Sequence, residues 1–402
     1  MKLFIYNWNF ITKHDLYQAL LEQGIEFDTF SSKAEVRVKA QKEQFLEDIE
    51  NALKGKTYDA IFSINYFPEL AVAAHKKNIL YICWTYDSPN LGNLNSSHFL
   101  DTNRIFLFDS AEYEEYQGYG VPNLYYLPLA VDTKRLSQMK PAPMERMKYH
   151  ADVSFVGQLY QADMDKLFPL FDEYGAGYTA GIINTQLNVY GINMVKELIN
   201  ENLVKRLCNE KVTKGLVENL NNNFMKDIAD KDIKGWALAA FLLKAVTNKE
   251  RILLLTLLAK HYYVKLFTIG KPILPNVNVY GVVDYIKEMP LVFKCSKINL
   301  NITLRNIRHG IPQRILDIMG CHALVLTNYQ EDLNEYFEDG KDILLYSSME
   351  EAFDKCKYYL EHEKEAEKIR QNSYKIVKDQ FSYSHRLNQI WELSGLNKKL
   401  SK

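Results

Sequence analysis

The segment Ser296–Leu333, SKINLNITLRNIRHGIPQRILDIMGCHALVLTNYQEDL, constrains the fold more than any other part of the chain. Its apolar run Lys297–Ile302 predicts a strand. A polar loop follows, a helix opens near Pro312, and Ala323–Thr327 predicts a second strand ahead of another polar loop. Such a βαβ unit belongs to a parallel sheet and leaves two loops at the carboxyl ends of its strands. In open α/β sheets, ligands bind at those ends. The helix start adds unpaired N–H groups and partial positive charge, which suit a phosphate. Asp317 stands about one and a half turns into the helix, where a carboxylate can meet ribose hydroxyls.

The same alternation runs through the N-terminal part. Strands are expected at KLFIYN, Ile25–Phe30, Asp59–Ile64, Ile79–Trp84, Arg104–Phe108 and Leu124–Pro128. Helices are expected at His14–Gln23, Val36–Lys54 and Pro68–Lys77. Lys134–His150 is polar, holds two prolines and reads as an inter-domain connection. A further strand, Ala151–Val156, opens the second half. Residues 165–260 then give helical signals, and strands return at Lys265–Ile269, Asn278–Val282 and Ile343–Tyr346. Glu350–Gln371 reads as one long helix and Ser384–Leu393 as a terminal one. A length of 402 residues exceeds one ordinary core. The expected division is therefore a domain over 1–140, a second over 151–380 with a helical insertion at 165–260, and a helical tail over 381–402.

Composition narrows the function classes. A formal net charge of −1 offers no broad basic field for nucleic acid or anionic lipid. The longest apolar run, Ala237–Ala259, contains Lys244, Lys249, Glu250 and Arg251, so it reads as a buried helix pair and not a membrane span. The N-terminus reads as a strand and not a signal peptide, because its apolar stretch is short and broken by Asn7 and Asn9. Five cysteines without a close CxxC pair indicate reduced, cytoplasmic usage rather than a disulfide frame or a zinc site. Many of the 27 tyrosines and 20 phenylalanines read as core, and those on loops offer the flat faces that sugar sites use. Surface aromatics are also compatible with a homodimer.

Several segments, in order, resemble a bacterial family of GT-B glycosyltransferases related to the CgeB spore-maturation protein. YDAIFSINYFPELA, YICWTYDSPN, RIFLFDSAEYEEYQGYG and LYYLPLAVD are similar to its N-terminal domain. DVSFVGQLY, KINLNITLR, GIPQRILDIMG, LVLTNYQEDLNEYFEDGKDILLY and FSYSHRL are similar to its C-terminal, group 1 glycosyltransferase-like domain. The resemblance spans both halves and is weaker over about 190–260. It implies an α/β protein of GT-B fold, with two Rossmann-like domains facing a central crevice. It also implies a nucleotide-sugar donor held by the second domain, an acceptor held by the first, and no required metal or other cofactor. Relatives carry glycines after the DIMG helix where this chain has His322 and Ala323, and small residues there would let a backbone approach a ligand.

The chemistry of such a transfer selects the site candidates. A departing diphosphate must be neutralised by Arg, Lys, helix N-termini and backbone N–H groups. Arg305, Arg308 and Arg314 lie in or beside the loop and helix start, and Arg314 matches the arginine of the family's GIPxR motif. Its competing reading is a salt bridge to Asp317. Asp317 is the expected ribose ligand, the second member of a Glu-x7-Glu pair whose first position is His309 here. That leaves retention or inversion open. Thr327, Asn328, Tyr329 and Gln330, with Glu331 and Asp332 beyond, offer donors for the diphosphate or sugar. Gly157, Gln158 and Tyr160 follow the first strand of the second domain. In the first domain, Asp87 is the candidate base for an acceptor hydroxyl if transfer inverts configuration; its competing reading is an Asp-Ser-Pro turn. Asn7, Trp8, Asn9, His14, Asn65 and Tyr66 are acceptor-side candidates, and His98 is a second candidate base. The expected activity is transfer of a hexose or N-acetylhexosamine from a nucleotide diphosphate sugar, UDP-linked, to a glycan or protein acceptor. The alternatives are a GT-B-fold epimerase or hydrolase of the nucleotide sugar, and a non-catalytic sugar-nucleotide-binding or scaffold protein.

Overall fold

The computed structural model describes residues 1–33, 41–89, 94–219 and 230–397. Its first sheet holds β1 (Lys2–Tyr6), β2 (Glu26–Phe30), β3 (Ala60–Ile64), β4 (Leu80–Trp84), β5 (Asn103–Leu107) and β6 (Leu124–Tyr126). They lie in the order β2-β1-β3-β4-β5-β6, and every neighbouring pair is parallel. The central strands, AIFSI of β3 and LYICW of β4, are almost wholly buried. Such continuous apolar runs fit strands covered by helices on both faces. β2, EFDTF, is at the edge and only partly covered.

The second sheet holds β7 (Ala151–Val156), β8 (Val264–Phe267), β9 (Asn278–Tyr280), β10 (Ser296–Asn301), β11 (Val325–Asn328) and β12 (Leu344–Tyr346). Its order is β12-β11-β10-β7-β8-β9, again parallel throughout. The chain starts in the middle at β7, builds outward to β9, then returns to place β10 on the other side of β7. The order therefore reverses between β7 and β10, the point where an open α/β sheet presents a ligand crevice. In the first sheet the reversal falls between β1 and β3.

The chain divides into two compact units, Met1–Ala130 with Gln380–Lys402, and Val131–Leu220 with Ala229–Asp379. The terminal helix thus belongs to the first unit instead of standing apart. Its Tyr383, Leu387, Ile390 and Trp391 form one apolar face and are buried. The Trp391 indole donates to Gln23 Oε1 at 2.9 Å. The polar segment before β7, expected as a bare connection, folds into helices Thr133–Gln138 and Pro143–Tyr149 within the second unit. Asp132 caps the first of these, and Pro143 occupies the first turn of the second.

Three helices differ from expectation. The apolar run through Ala237–Ala259 is not a helix pair but part of one helix, Asp230–Ala259. Its charged residues mark no break because they find partners: Lys244 pairs with Asp163 at 2.9 Å, and Glu250 is wholly buried beside Arg305. Glu350–Gln371 is two helices, Met349–Glu361 and Glu363–Gln380, with His362 out of helical geometry and stacked on Tyr358. The helix expected over Val36–Lys54 spans Lys42–Leu53, and residues 36–40 of it lie outside the described ones. Helices between Gln161 and Ala259 carry their own core, including Met164, Leu187, Val212, Phe241 and Val246. This is the expected insertion.

Candidate functional site

The carboxyl edge of the second sheet is organised by one stretch of the insertion helix, Thr247–Arg251. The Asn248 amide donates to the Leu159 carbonyl at 2.8 Å and to Gln161 Oε1 at 3.2 Å. The Arg251 guanidinium reaches the carbonyl of Gln158 after β7 and that of Ile302 after β10. It lies 5.2 Å from the Phe155 ring centroid and 5.3 Å from that of Tyr160. Burial lowers the Arg251 pKa from its ordinary value, opposed mainly by Tyr160. Thr247 Oγ1 accepts the Arg305 backbone N–H at 3.0 Å. Glu250 takes the Arg305 guanidinium at 3.0 and 2.9 Å, the Tyr190 hydroxyl at 2.9 Å and the Tyr346 hydroxyl at 3.2 Å. One and a half helical turns therefore hold the ends of β7, β10 and β12 together.

Gly157, Gln158, Tyr160 and Arg305 all stand at this edge, as the sequence placed them. Their roles in the fold are now visible. A Cβ at Gly157 would come within 3.0 Å of the Phe155 ring, so the glycine answers internal packing. Tyr160 adopts φ of 60°, a left-handed conformation that is strained for a tyrosine. The Arg305 side chain is 9% exposed, with Tyr190 flat against it at 4.0 Å. Its charge is matched by Glu250. The loop after β11 is tied to β10: the Asn301 amide donates to Thr303 Oγ1 at 3.0 Å and Thr327 Oγ1 at 2.9 Å, and Asn328 Oδ1 takes the Thr303 N–H at 2.7 Å. Thr327, Asn328 and Gln330 are buried, whereas Tyr329 is half-buried. The Tyr329 hydroxyl donates to Glu331 at 2.6 Å and accepts from Asn334 at 2.8 Å. His309 is half-buried, and its carbonyl accepts the Asp332 N–H at 3.2 Å.

The helix after β10 runs Gln313–Gly320, with Pro312 as its N-cap. Asp317 is buried, and its Oδ1 accepts from the Tyr285 hydroxyl and the Gln313 amide, each at 2.9 Å. Arg314 Nη1 is 3.8 Å from Asp317 Oδ2 and touches Met289 Sδ. The ion pair weighed against a phosphate role is thus formed, while a quarter of the Arg314 side chain remains exposed (26%). Gly320 has a clear cause: a Cβ there would meet Val131 at 2.7 Å and Leu136 at 2.9 Å. His322 and Ala323 precede β11, so they lie at the amino edge of the sheet, opposite the loops just described. His322 takes φ of 59°, and its ring packs at a tilt against Tyr374, centroids 4.9 Å apart. The expected effect of these two residues on a ligand's approach does not follow from that position.

The first sheet has its own polar edge. Asn65, after β3, adopts φ of 67°. Its Oδ1 accepts the N–H groups of Tyr86 and Asp87 at 2.8 and 3.2 Å, and its amide donates to Asp87 Oδ2 at 2.7 Å. Ser88 donates to the buried Asp109 at 2.9 Å, and Asp109 also caps the helix Ser110–Gly118. The ends of β3, β4 and β5 are joined in this way. The Asp87 side chain is exposed on one side, with protein packed closely around the rest of it. That desolvation raises its carboxyl above the ordinary range, against the lowering by Asn65. Trp8 donates its indole N–H to the Ile64 carbonyl at 2.8 Å, and Lys13 donates to Asn9 Oδ1 at 2.7 Å. Asn7 accepts through its carbonyl from Ser31 at 2.7 Å, and His14 lies 3.2 Å from Asp15. His98 is buried, stacked on Tyr66 at 4.4 Å, and completes the capping box of Asn95. Its surroundings are those of a structural histidine.

Sequence reasoning did not single out Asn248, Glu250 and Arg251 as site residues, nor Tyr285 or Asp109. The signal for the first three was present as charges inside an apolar run. Tyr285 acts across a long sequence distance and left no local mark, and Asp109 shows locally only as the cap of its own helix.

Residues 240–392 match a family model described as Glycosyl transferase-like. A sequence search among curated proteins returns no match. Solved structures share the architecture over the whole chain. Sucrose-phosphate synthase from Thermosynechococcus elongatus aligns with a TM-score of 0.55 at 11% identity, covering 100% of this chain and 99% of that one. A glycosyltransferase from Rickettsia africae gives 0.53 at 9% identity, covering 100% and 98%. Anabaena HepE in complex with UDP-glucose gives 0.52 at 12% identity, covering 98% of each chain. The protein therefore has the GT-B fold, with a glycosyltransferase-like second half. Among the described residues, no helix is long and apolar enough to cross a membrane.

Proposed function

We propose that this protein is a metal-independent glycosyltransferase of the cytoplasm. It moves a hexose or N-acetylhexosamine from a UDP-linked donor to a glycan or protein acceptor. The observation that carries the reading is the polar carboxyl edge at the β7/β10 reversal, inside a unit whose sequence matches a glycosyltransferase-like family. The donor's diphosphate lies there against backbone N–H groups and the exposed part of Arg314. Asp87 takes the proton of the acceptor hydroxyl as that oxygen bonds to the anomeric carbon, and the bond from that carbon to the diphosphate breaks to release UDP. The UDP-glucose complex of the Anabaena structure supports the choice of donor nucleotide.

A thermal-shift screen of nucleoside diphosphates and their sugars tests the reading, because binding raises stability by mass action. A shift with UDP that deepens with one UDP-sugar, followed by UDP release dependent on an acceptor, is expected. No shift with any nucleotide would end the proposal. Binding without turnover would favour the non-catalytic reading. Turnover of the UDP-sugar without acceptor would favour an epimerase or hydrolase.

A further inference from the structure

Arg251 is a buried cation for which no carboxylate among the described residues forms an ion pair. It donates to the main-chain carbonyls of Gln158 and Ile302, with the neutral Tyr160 side chain beside it. Burying a charge is costly unless it is paired, so such a group persists only where the surroundings or a function require it. Glu250, the adjacent residue, is already engaged by Arg305. The trio Arg251, Glu250 and Arg305 therefore leaves one net positive charge at the carboxyl end of the sheet, at its order reversal.

The two carbonyls that the helix draws inward have a second consequence. Arg251 holds that of Gln158, and Asn248 holds that of Leu159. A trans peptide is planar, with its C=O and the following N–H pointing opposite ways. The N–H groups of Leu159 and Tyr160 are thereby turned away from the insertion helix. Consecutive N–H groups turned to one side beside a left-handed residue, here Tyr160, favour an anion.

We propose that Arg251 and Asn248 are positioning residues for the donor's diphosphate. They fix the β7 loop with its N–H groups outward, and Arg251, which also ties that loop to Ile302 after β10, supplies the positive field behind them. This rests on the nucleotide-sugar reading above and names the part of the chain that recognises the phosphates. Neither residue need touch the ligand.

The test is calorimetric titration of the full chain with UDP and with uridine, for Arg251→Lys, Asn248→Ala and the parent. The difference between the two ligands isolates the phosphate contribution. Arg251→Lys keeps a charge but loses the fork that holds two carbonyls at once. Its preference for UDP over uridine should fall roughly tenfold, the scale of one charge-assisted hydrogen bond. Asn248→Ala, which leaves every charge in place, should lose several-fold of the same preference, with uridine affinity nearly unchanged in both. Equal weakening of UDP and uridine, or an unchanged preference in folded variants, would overturn the proposal and leave the donor reading standing. A parent protein that binds neither ligand would overturn both. If Arg251→Lys does not fold, Asn248→Ala decides alone.

Discussion

Replacing Glu250 by Ala should weaken the second unit by about 3–5 kcal/mol, the range for removing one partner of a buried ion pair. The structure gives the reason. Glu250 has no exposed surface, and it receives the Arg305 guanidinium at 3.0 and 2.9 Å with the Tyr190 and Tyr346 hydroxyls at 2.9 and 3.2 Å. Its loss strands a guanidinium whose side chain is 9% exposed, beneath the Tyr190 ring. Tyr190 can turn toward water, but Tyr346 is fully buried. With a urea m-value of about 2 kcal/mol/M, the midpoint should move down by about 2 M. Hydrogen exchange followed peptide by peptide during urea unfolding separates the two units, which a single spectroscopic transition would merge. A double-mutant cycle with Arg305→Met isolates the pair, and removing both charges should restore a large part of the loss. A loss below about 1 kcal/mol in the single variant, or plain additivity in the double, would show that the charges are hydrated and the argument wrong.

Asp87→Asn should abolish transfer while leaving UDP affinity intact; normal transfer rejects Asp87 as the base. Its carboxyl is raised by desolvation, so transfer should fail on acidification at a higher pH than for an ordinary aspartate, read from a pH–rate profile. The same shift carries a stability sign: the folded state holds this proton more tightly than the unfolded one, so stability falls as pH rises through the raised value. The Asn variant should accordingly melt slightly higher than the parent at neutral pH. Arg314→Ala should weaken UDP binding by roughly 1.5–3 kcal/mol in calorimetry, and unchanged affinity in a folded variant removes it from the site. His322→Gly relieves a left-handed residue at the cost of its Tyr374 contact. Melting should shift by no more than the equivalent of about 1 kcal/mol with UDP affinity unchanged, and a large loss of affinity would contradict its placement at the amino edge.

Much of the architecture was legible because periodicity and punctuation are local. β7 was bounded to the residue, and the strand–helix–strand unit around Pro312 appeared where the pattern placed it. The misreading of Asp230–Ala259 as a helix pair has a physical cause. A charged residue in an apolar run looks like a helix end when its partner is distant in sequence, as Glu250 and Arg305 are. The tail's membership of the first unit could not be read either, since nothing in Tyr383–Leu393 says which surface its apolar face will cover. For the candidate site, the sequence named which loops carry polar groups but not which groups the fold itself consumes. Arg305, Asp317 and Asn328 all have internal partners that no spacing rule reveals.

The two carboxyl edges reach order by different means. In the first sheet a single side chain, Asn65, takes a left-handed backbone and holds the next loop by three hydrogen bonds, so the Asp87 carboxylate is fixed by a neighbour that cannot change charge. In the second sheet the loops are held from beneath by a helix that belongs to an insertion. That arrangement makes the insertion part of this carboxyl edge rather than an ornament on it. Its helix must keep register over Thr247–Arg251, because a shift of one residue rotates the helix by about 100° and turns Asn248, Glu250 and Arg251 away from their partners together. The register of Thr247–Arg251 is therefore constrained by the edge it serves, whereas Phe241 and Val246, a few residues earlier, answer to the insertion's own apolar core.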